Sequence, residues 1–234
     1  MNTRITLLLL QVYVHIMFVV GLFFFQPIII LLAVILSHVI FVGLCGTVYY
    51  HRIMSHKNHV NKTLEKILMF VSWLGASGSI IGWAATHRSH HRYSDTDKDP
   101  HSPKFNGIWK TYWWSSASEK SIRLVPDLLR DKLYVWQHKY YFVGLILVHL
   151  TMIMFFDPLT YWLVCIVPAF MMWFAGSMIN VLSHDQNGPV NSLILGLLFA
   201  GEGWHKNHHD MASNPIFNDS MDLGGTIYKM LPPK

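Results

Sequence analysis

IIILLAVILSHVIFVGLCGTVYYHRIMSH, Ile28 to His56, carries two messages in one stretch. Its first part, Ile28 to Tyr50, holds no Asp, Glu, Lys or Arg. That is long enough to cross a bilayer as helix, which takes ~20 apolar residues. Its last part is an H-x4-H pair, His51 and His56. Two H-x-x-H-H clusters lie downstream: His87-Arg88-Ser89-His90-His91 and His205-Lys206-Asn207-His208-His209. Asn180 and His184, four residues apart, belong with them. The rest of the chain reads as a scaffold that gathers these groups beside a membrane.

Composition agrees. Of 234 residues, 52% are hydrophobic and 13% charged, about half the soluble norm of ~25% charged. The length suits one domain with a sizeable core. Cys45 and Cys165 sit in apolar runs and offer no disulfide framework.

Ile5 to Phe25 is a second uncharged run. It is too long for a secretory h-region and lacks a small-residue cleavage site, so an anchor that stays is expected. Gln26-Pro27 is a turn signal, so these two runs read as a tight helical hairpin. Tyr141 to Phe156 is a third, slightly short span. Asp157-Pro158 turns the chain, and Leu159 to Leu182 returns as the fourth. Segment 65–86 is apolar but rich in Gly and Ser. If it crossed, the first two clusters would face opposite sides, so it reads as a buried or interfacial helix. Between Arg92 and Lys139 the aromatics Trp109, Tyr112, Trp113, Trp114, Tyr134 and Trp136 suit an interfacial cap.

The expected fold is an all-α membrane protein. One domain, 1–234, has four transmembrane helices in two hairpins, at about 5–25, 28–50, 141–156 and 159–182. A helical cap, 51–140 and 183–234, holds a histidine-rich dimetal site. All 18 Lys and Arg fall on the side shared by the termini and the middle segment. The positive-inside rule makes that side cytoplasmic. An integral, multi-pass protein with its active site and both termini in the cytoplasm is expected.

On a helix each residue advances ~100°. His87 and His91 share a face, with His90 offset from His91 by ~100°. One triad can therefore give two ligands to one metal and one to a neighbour, and His205, His208 and His209 repeat this. His51 and His56 stand ~140° apart on a straight α-helix, so they converge only if the helix ends or bends near Ser55. Neutral imidazole suits Fe, Zn, Cu and Ni, and the nine clustered histidines can complete two sites of four or five ligands. Asp95, Asp97, Asp99, Asp185, Glu202 and Asp210 are candidate acceptors for ring N–H groups. His15, His38 and His149 lie within spans and read as structural; His59, His101 and His138 read as surface or cap residues. A metal-based oxidant beside a bilayer suits attack on unactivated alkyl chains.

Here the sequence resembles the integral-membrane fatty acid desaturases, particularly the Δ9 type of bacteria and cyanobacteria. The resemblance rests on Tyr50-His51-Arg52 with Ser55-His56, and on Thr86-His87-Arg88-Ser89-His90-His91. Asp95-Thr96-Asp97, Asp99-Pro100-His101-Ser102-Pro103 and Val125-Pro126-Asp127 extend it. Asn180 with His184, and Gly201-Glu202-Gly203-Trp204-His205 with Asn207-His208-His209, complete it.

That resemblance implies one metal on His51, His56, His87, His91 and His208. It implies a second on His90, His184, His205 and His209, with Asn180 reaching it through water. It implies two Fe ions, O2 as co-substrate, and an O2-dependent oxidoreductase that forms a cis double bond, Δ9 by type, in a saturated stearoyl- or palmitoyl-like chain. No catalytic residue beyond the ligands is expected. Trp83, one turn before His87, and Trp73 are candidates for the wall of an acyl tunnel. An external electron carrier such as ferredoxin or cytochrome b5, a fatty acyl substrate and the lipid bilayer are the expected partners, with no nucleic acid. Where animal acyl-CoA enzymes carry Arg before the second cluster, Ala85 stands here. The acyl carrier is therefore open among CoA, acyl carrier protein and lipid. Two alternatives stand beside this reading: an acyl or alkyl hydroxylase on the same scaffold, and a non-enzymatic histidine-rich membrane metal or haem protein. The last would place ligands at His15, His38 and His149.

Overall fold

The computed structural model describes residues 3–113 and 119–234; Trp114 lies outside them. The chain is mostly helical. In order come α1 Thr3–Phe24, α2 Pro27–Ser55, α3 Lys62–Val71, α4 Ile80–Tyr93, α5 Pro103–Trp113, α6 Glu119–Ile122, α7 Pro126–Leu129, α8 Lys132–Phe155, α9 Pro158–Leu182, α10 Leu193–Leu198, α11 His205–Asp210 and α12 Leu223–Met230. A small antiparallel pair, β1 His184–Asp185 with β2 Gly188–Pro189, follows α9.

Helices α1, α2, α8 and α9 are long and apolar enough to cross a membrane. They are not equal partners. In α9, 61% of the most apolar stretch is buried, against 11% in α8. Helix α9 is thus the central post: α1, α2 and α5 all pack on it. Gln26-Pro27 does turn the chain, but α1 lies mainly against α9 rather than against α2.

The third long helix begins earlier than expected. Asp131 caps it, its side chain accepting from the Leu133 amide. No breaker follows until Phe156, so the polar turn Lys132–Tyr140 continues the same helix. Tyr134, expected at an interface, is instead buried, its hydroxyl donating to Glu65 at 3.3 Å. Trp109 and Trp136 are exposed.

Segment 62–93 is not a straight rod. It bends by 87° between its two helical parts. Ala76 and Gly78 supply left-handed backbone at φ 50° and 94°; Gly takes such a φ at no steric cost. Ser79 then caps α4, accepting from the Gly82 amide. The bend turns α4 back along the end of α2.

There Arg88 closes the end of α2. Its guanidinium donates to the carbonyls of Met54 (2.8 Å) and Ser55 (2.7 Å), which a helix end leaves unpaired. It also pairs with Asp127 at 2.5 Å. The core beneath contains Tyr49, Tyr50, Ile53, Met54, Met69, Ile80, Ile81 and Leu128. Each large apolar side chain buried there stabilises by ~1.5–3 kcal/mol.

The winding of α2 answers the question left by His51 and His56. From His38 to Ser55 the helix is π-wound, with i→i+5 hydrogen bonds. The His56 amide donates to the His51 carbonyl at 3.2 Å. Residues five apart therefore stack as residues four apart do on an α-helix. π-Winding is usually a single turn at a functional site; here it runs the length of the approach to one.

Candidate metal centre

Four segments deliver the histidines. The end of α2 brings His51 and His56, and α4 brings His87, His90 and His91. His184 lies not on α9 but in β1, just beyond it. Helix α11 brings His205, His208 and His209. Its placement depends on two glycines. Gly201 adopts φ +99°. Gly203 lies so close to the α10 backbone at Leu195 and Gly196 that a Cβ has no room.

The nine rings form two groups. His51, His56, His87, His91 and His208 make one; His90, His184, His205 and His209 make the other. Within each, the nearest ligand atoms all lie within 4.8 Å of one another. The groups adjoin: His91 and His209 stack with centroids 4.3 Å apart.

Three carboxylates set the ring orientation. Glu202 lies 2.7 Å from His51 Nδ1, Asp99 2.9 Å from His90 Nδ1 and Asp95 2.8 Å from His184 Nδ1. A neutral ring that donates from Nδ1 has only a lone pair at Nε2. Those Nε2 atoms point inward. His51 faces His208 at 2.9 Å, His90 faces His209 at 3.2 Å and His184 faces His205 at 3.0 Å, Nε2 to Nε2. His208 Nε2 also lies 2.8 Å from His91 Nε2, and His209 Nε2 3.2 Å from His205 Nε2. One ring nitrogen cannot hydrogen-bond two others at once.

Converging lone pairs of this kind fit a cation. Two nitrogens at ~2.1 Å from one ion, on adjacent positions, stand ~3 Å apart. The donor set therefore fits a metal in each group. Electrostatics agree. Burial, then the neighbouring imidazoles, hold His87, His90, His205 and His208 well below the ordinary value. His91 is pushed down to about 3 by the same causes. The rings stay neutral, which is the ligand form. Burial alone would raise Glu202, but its contacts with the His51 ring N–H and the Arg52 guanidinium prevail and lower it to about 2.

Other expected residues fall differently. Asp97, Asp185 and Asp210 are exposed and face no clustered histidine; Asp210 pairs with Lys206. His101 is no surface residue. It is buried against His90, with ring centroids 4.3 Å apart, because its amide is tied to Asp99. His15 bonds Gln11 and Tyr112, and His149 bonds Tyr161. Among the described residues, neither they nor His38 join a metal-capable group.

A cavity of about 1130 Å³ opens beside both groups. His51, His87, His90, His101 and His205 line its inner part, with Asn180 and Glu202. Val42, Met172, Ile179 and Phe199 give it an apolar wall, and Arg4, His138 and Lys139 stand on its lining nearer the polar ends of α1 and α8. Trp83 lines it and stacks on His87 at 5.3 Å. Trp73 is not among the lining residues. It is packed on Tyr141 and donates to that residue's carbonyl at 3.0 Å.

Residues 25–218 match the model of the fatty acid desaturase family. The chain belongs to that family. The chain is 32% identical over 194 residues to the sn-1 stearoyl-lipid 9-desaturase of Synechocystis sp., covering 74% of this chain and 59% of that one. It is 28% identical to the sn-2 palmitoyl-lipid 9-desaturase of Nostoc sp., covering 78% and 70%. It is also 28% identical to the acyl-CoA 5-desaturase of Anemone leveillei, covering 71% and 58%. The chain thus spans between 58% and 70% of the length of these relatives.

Four side chains of the centre were not singled out as such by sequence: Arg52, His101, Phe217 and Asp222. Arg52 had a signal, as a lone cation at the end of a long uncharged run. Phe217 and Asp222 had none beyond lying soon after the third cluster.

Proposed function

We propose that this chain is an O2-dependent acyl desaturase that forms a cis double bond, at Δ9, in a saturated acyl chain. The inward convergence of nine imidazoles beside a partly apolar cavity carries this reading. The five-histidine group is taken as one metal site. The four-histidine group, with Asn180 through water, is the other. Two iron ions with O2 would supply an oxidant able to take hydrogen from an unactivated alkyl chain. Overall, the acyl chain loses two hydrogens, and O2 takes these with two electrons and two protons to become two waters. The electrons come from an external carrier.

The chain's own residues do the rest. Glu202, Asp99 and Asp95 hold three rings by Nδ1 and keep each Nε2 free of a proton. Trp83, stacked on His87, gives the substrate a flat wall at the centre. The apolar side chains of α2 and α9 exclude water from the alkyl chain. The Δ9 position and a lipid-borne substrate follow the names of the cyanobacterial relatives; the Anemone relative's name sets a Δ5 acyl-CoA activity beside them.

The four long helices are read as two hairpins in the bilayer, with the remaining helices as a cytoplasmic cap in a single domain. The distribution of Lys and Arg supports that orientation. Expression in a host that lacks unsaturated acyl chains, with lipid analysis by mass spectrometry, tests the activity. A new cis bond is expected. Iron-loaded protein with a working reductase and no new double bond would refute it, and a hydroxylated chain would make it a hydroxylase.

A further inference from the structure

Arg52 is fully buried beside the five-histidine group. Its guanidinium lies 2.8 Å from Glu202 and 2.8 Å from Asp222. It donates to the Pro215 carbonyl at 2.8 Å, and Phe217 covers its face at 3.8 Å. Glu202 reaches on to His51 Nδ1 with its other oxygen. Asp222 reaches on to the amides of Phe217 (2.7 Å) and Gly225 (2.8 Å). Phe217 meets the His208 ring with centroids 4.4 Å apart. One buried cation therefore links a metal-facing ring to the C-terminal segment. No room is left there: a Cβ on Gly224 would strike Arg52 and Thr47.

Residues 215–225 also accept from Trp204 (2.8 Å) and Asn207 (2.9 Å) beside His205 and His209, but the carboxylates that back the four-histidine group do not depend on that segment. Asp99 is held by the amides of Asp95 and His101, both at 3.0 Å, and Asp95 by the Ser102 hydroxyl at 3.1 Å. Those contacts are local to the loop after α4.

We infer that Arg52 is a positioning residue for His51, and that residues 215–225 form a strap that, through Arg52 and Glu202, fixes a ring-orienting contact in the five-histidine group only. This rests on the metal-binding reading above. It follows that breaking the Arg52 link to the strap lowers affinity in one group and spares the other. A lost ring-orienting partner costs ~10–100-fold in metal affinity.

The test is ferrous iron binding by the full chain in lipid nanodiscs, with iron per chain measured against a competing chelator. Wild type is expected to hold two ions. If it holds none, the metal-binding reading falls. With two ions in wild type, Arg52→Gln and Asp222→Asn should each keep one at wild-type affinity and hold the other ~10–100-fold more weakly. Arg52→Lys, which can pair with one carboxylate but not fork between two, should recover part of the loss. Adding His184→Ala to Arg52→Gln should remove the retained ion. Phe217→Leu keeps apolar volume and serves if Arg52→Gln does not fold; it should speed hydrogen exchange across 215–225 and weaken one ion. Two ions at wild-type affinity in these variants, or parallel loss of both from monodisperse protein, would overturn the strap.

Discussion

His208 and His209 are neighbours in sequence but belong to different groups, and the two groups are held by different means. The five-histidine group takes its rings from α2, α4 and α11, and among the described residues only its His51 is backed by a carboxylate. Its geometry is imposed from a distance, by π-winding in α2, by Arg88 at the helix end and by Arg52. The four-histidine group has two carboxylate-backed rings, His90 and His184, and both carboxylates come from one loop. Those two carboxylates are held by contacts within that loop. The difference teaches that equal residue types at equal spacing do not give equal sites. What fixes the Nδ1 side decides how each ring can fail.

The sharpest way to break the comparison is to remove one ring from each group. His208→Ala and His209→Ala are each expected to lower desaturation by more than ~100-fold, the upper cost of losing only an orienting partner. Product analysis in cells checks this. Equal activity in either variant would detach that group from the chemistry.

The carboxylates come next. Asp99→Asn should weaken the four-histidine group by ~10–100-fold in metal affinity, and Asp95→Asn by a similar amount. Neither should move the five-histidine group, whose ring carboxylate is on another segment. Metal titration with a chelator reads the two groups separately. A loss shared by both groups would show that they are one cooperative unit.

Acid tests what the groups have in common. His87, His90, His205 and His208 have folded-state values well below the ordinary 6.5. Below pH 6.5 the unfolded chain binds protons that the metal-free folded chain refuses. Stability is therefore full above 6.5 and falls as pH drops below it. At pH 5 each such ring costs up to about 2 kcal/mol. Thermal melting of metal-free protein should fall steeply between pH 7 and 5. A flat profile would mean that the rings are not held neutral by burial.

Much of this was legible in the sequence, for reasons tied to particular residues. The long uncharged runs had to be helices, because a bilayer leaves backbone groups no other partner. The H-x-x-H-H spacing placed His87 with His91 and set His90 aside, and the rings fall that way. Other features carried no readable signal. π-Winding is a matter of hydrogen-bond register, and an apolar run such as Phe41 to Tyr50 has no pattern to report it. The start of α8 was hidden because Lys139 and Tyr140 look like the edge of a span, although nothing there breaks a helix. His101 sits between Pro100 and Pro103 and looks like loop surface; its packing on the His90 ring is what buries it. The strap is long-range by nature, since Arg52 and Asp222 meet only in the folded chain.

The smallest effect expected is at the cavity wall, where the two tryptophans separate two roles. Trp83 lines the cavity and stacks on His87, a ring of the five-histidine group. Trp73 is packed away on Tyr141. Trp83→Leu should leave both metals bound, because the indole touches rings from outside and donates nothing to a ligand nitrogen. It should shift the preferred chain length or bond position, because the acyl chain then runs past a smaller wall. A change of about tenfold in product ratio is the scale, the lower end of the ~1–3 kcal/mol that one methylene is worth in an apolar pocket. Trp73→Leu should do the reverse. It removes a core ring and a hydrogen bond to the Tyr141 carbonyl, so the protein melts earlier while its product ratio stays as it was. Product profiles and melting curves of the two variants, taken together, decide whether the substrate is sensed on the five-histidine side of the centre. An unchanged profile in Trp83→Leu would move that contact elsewhere along the cavity.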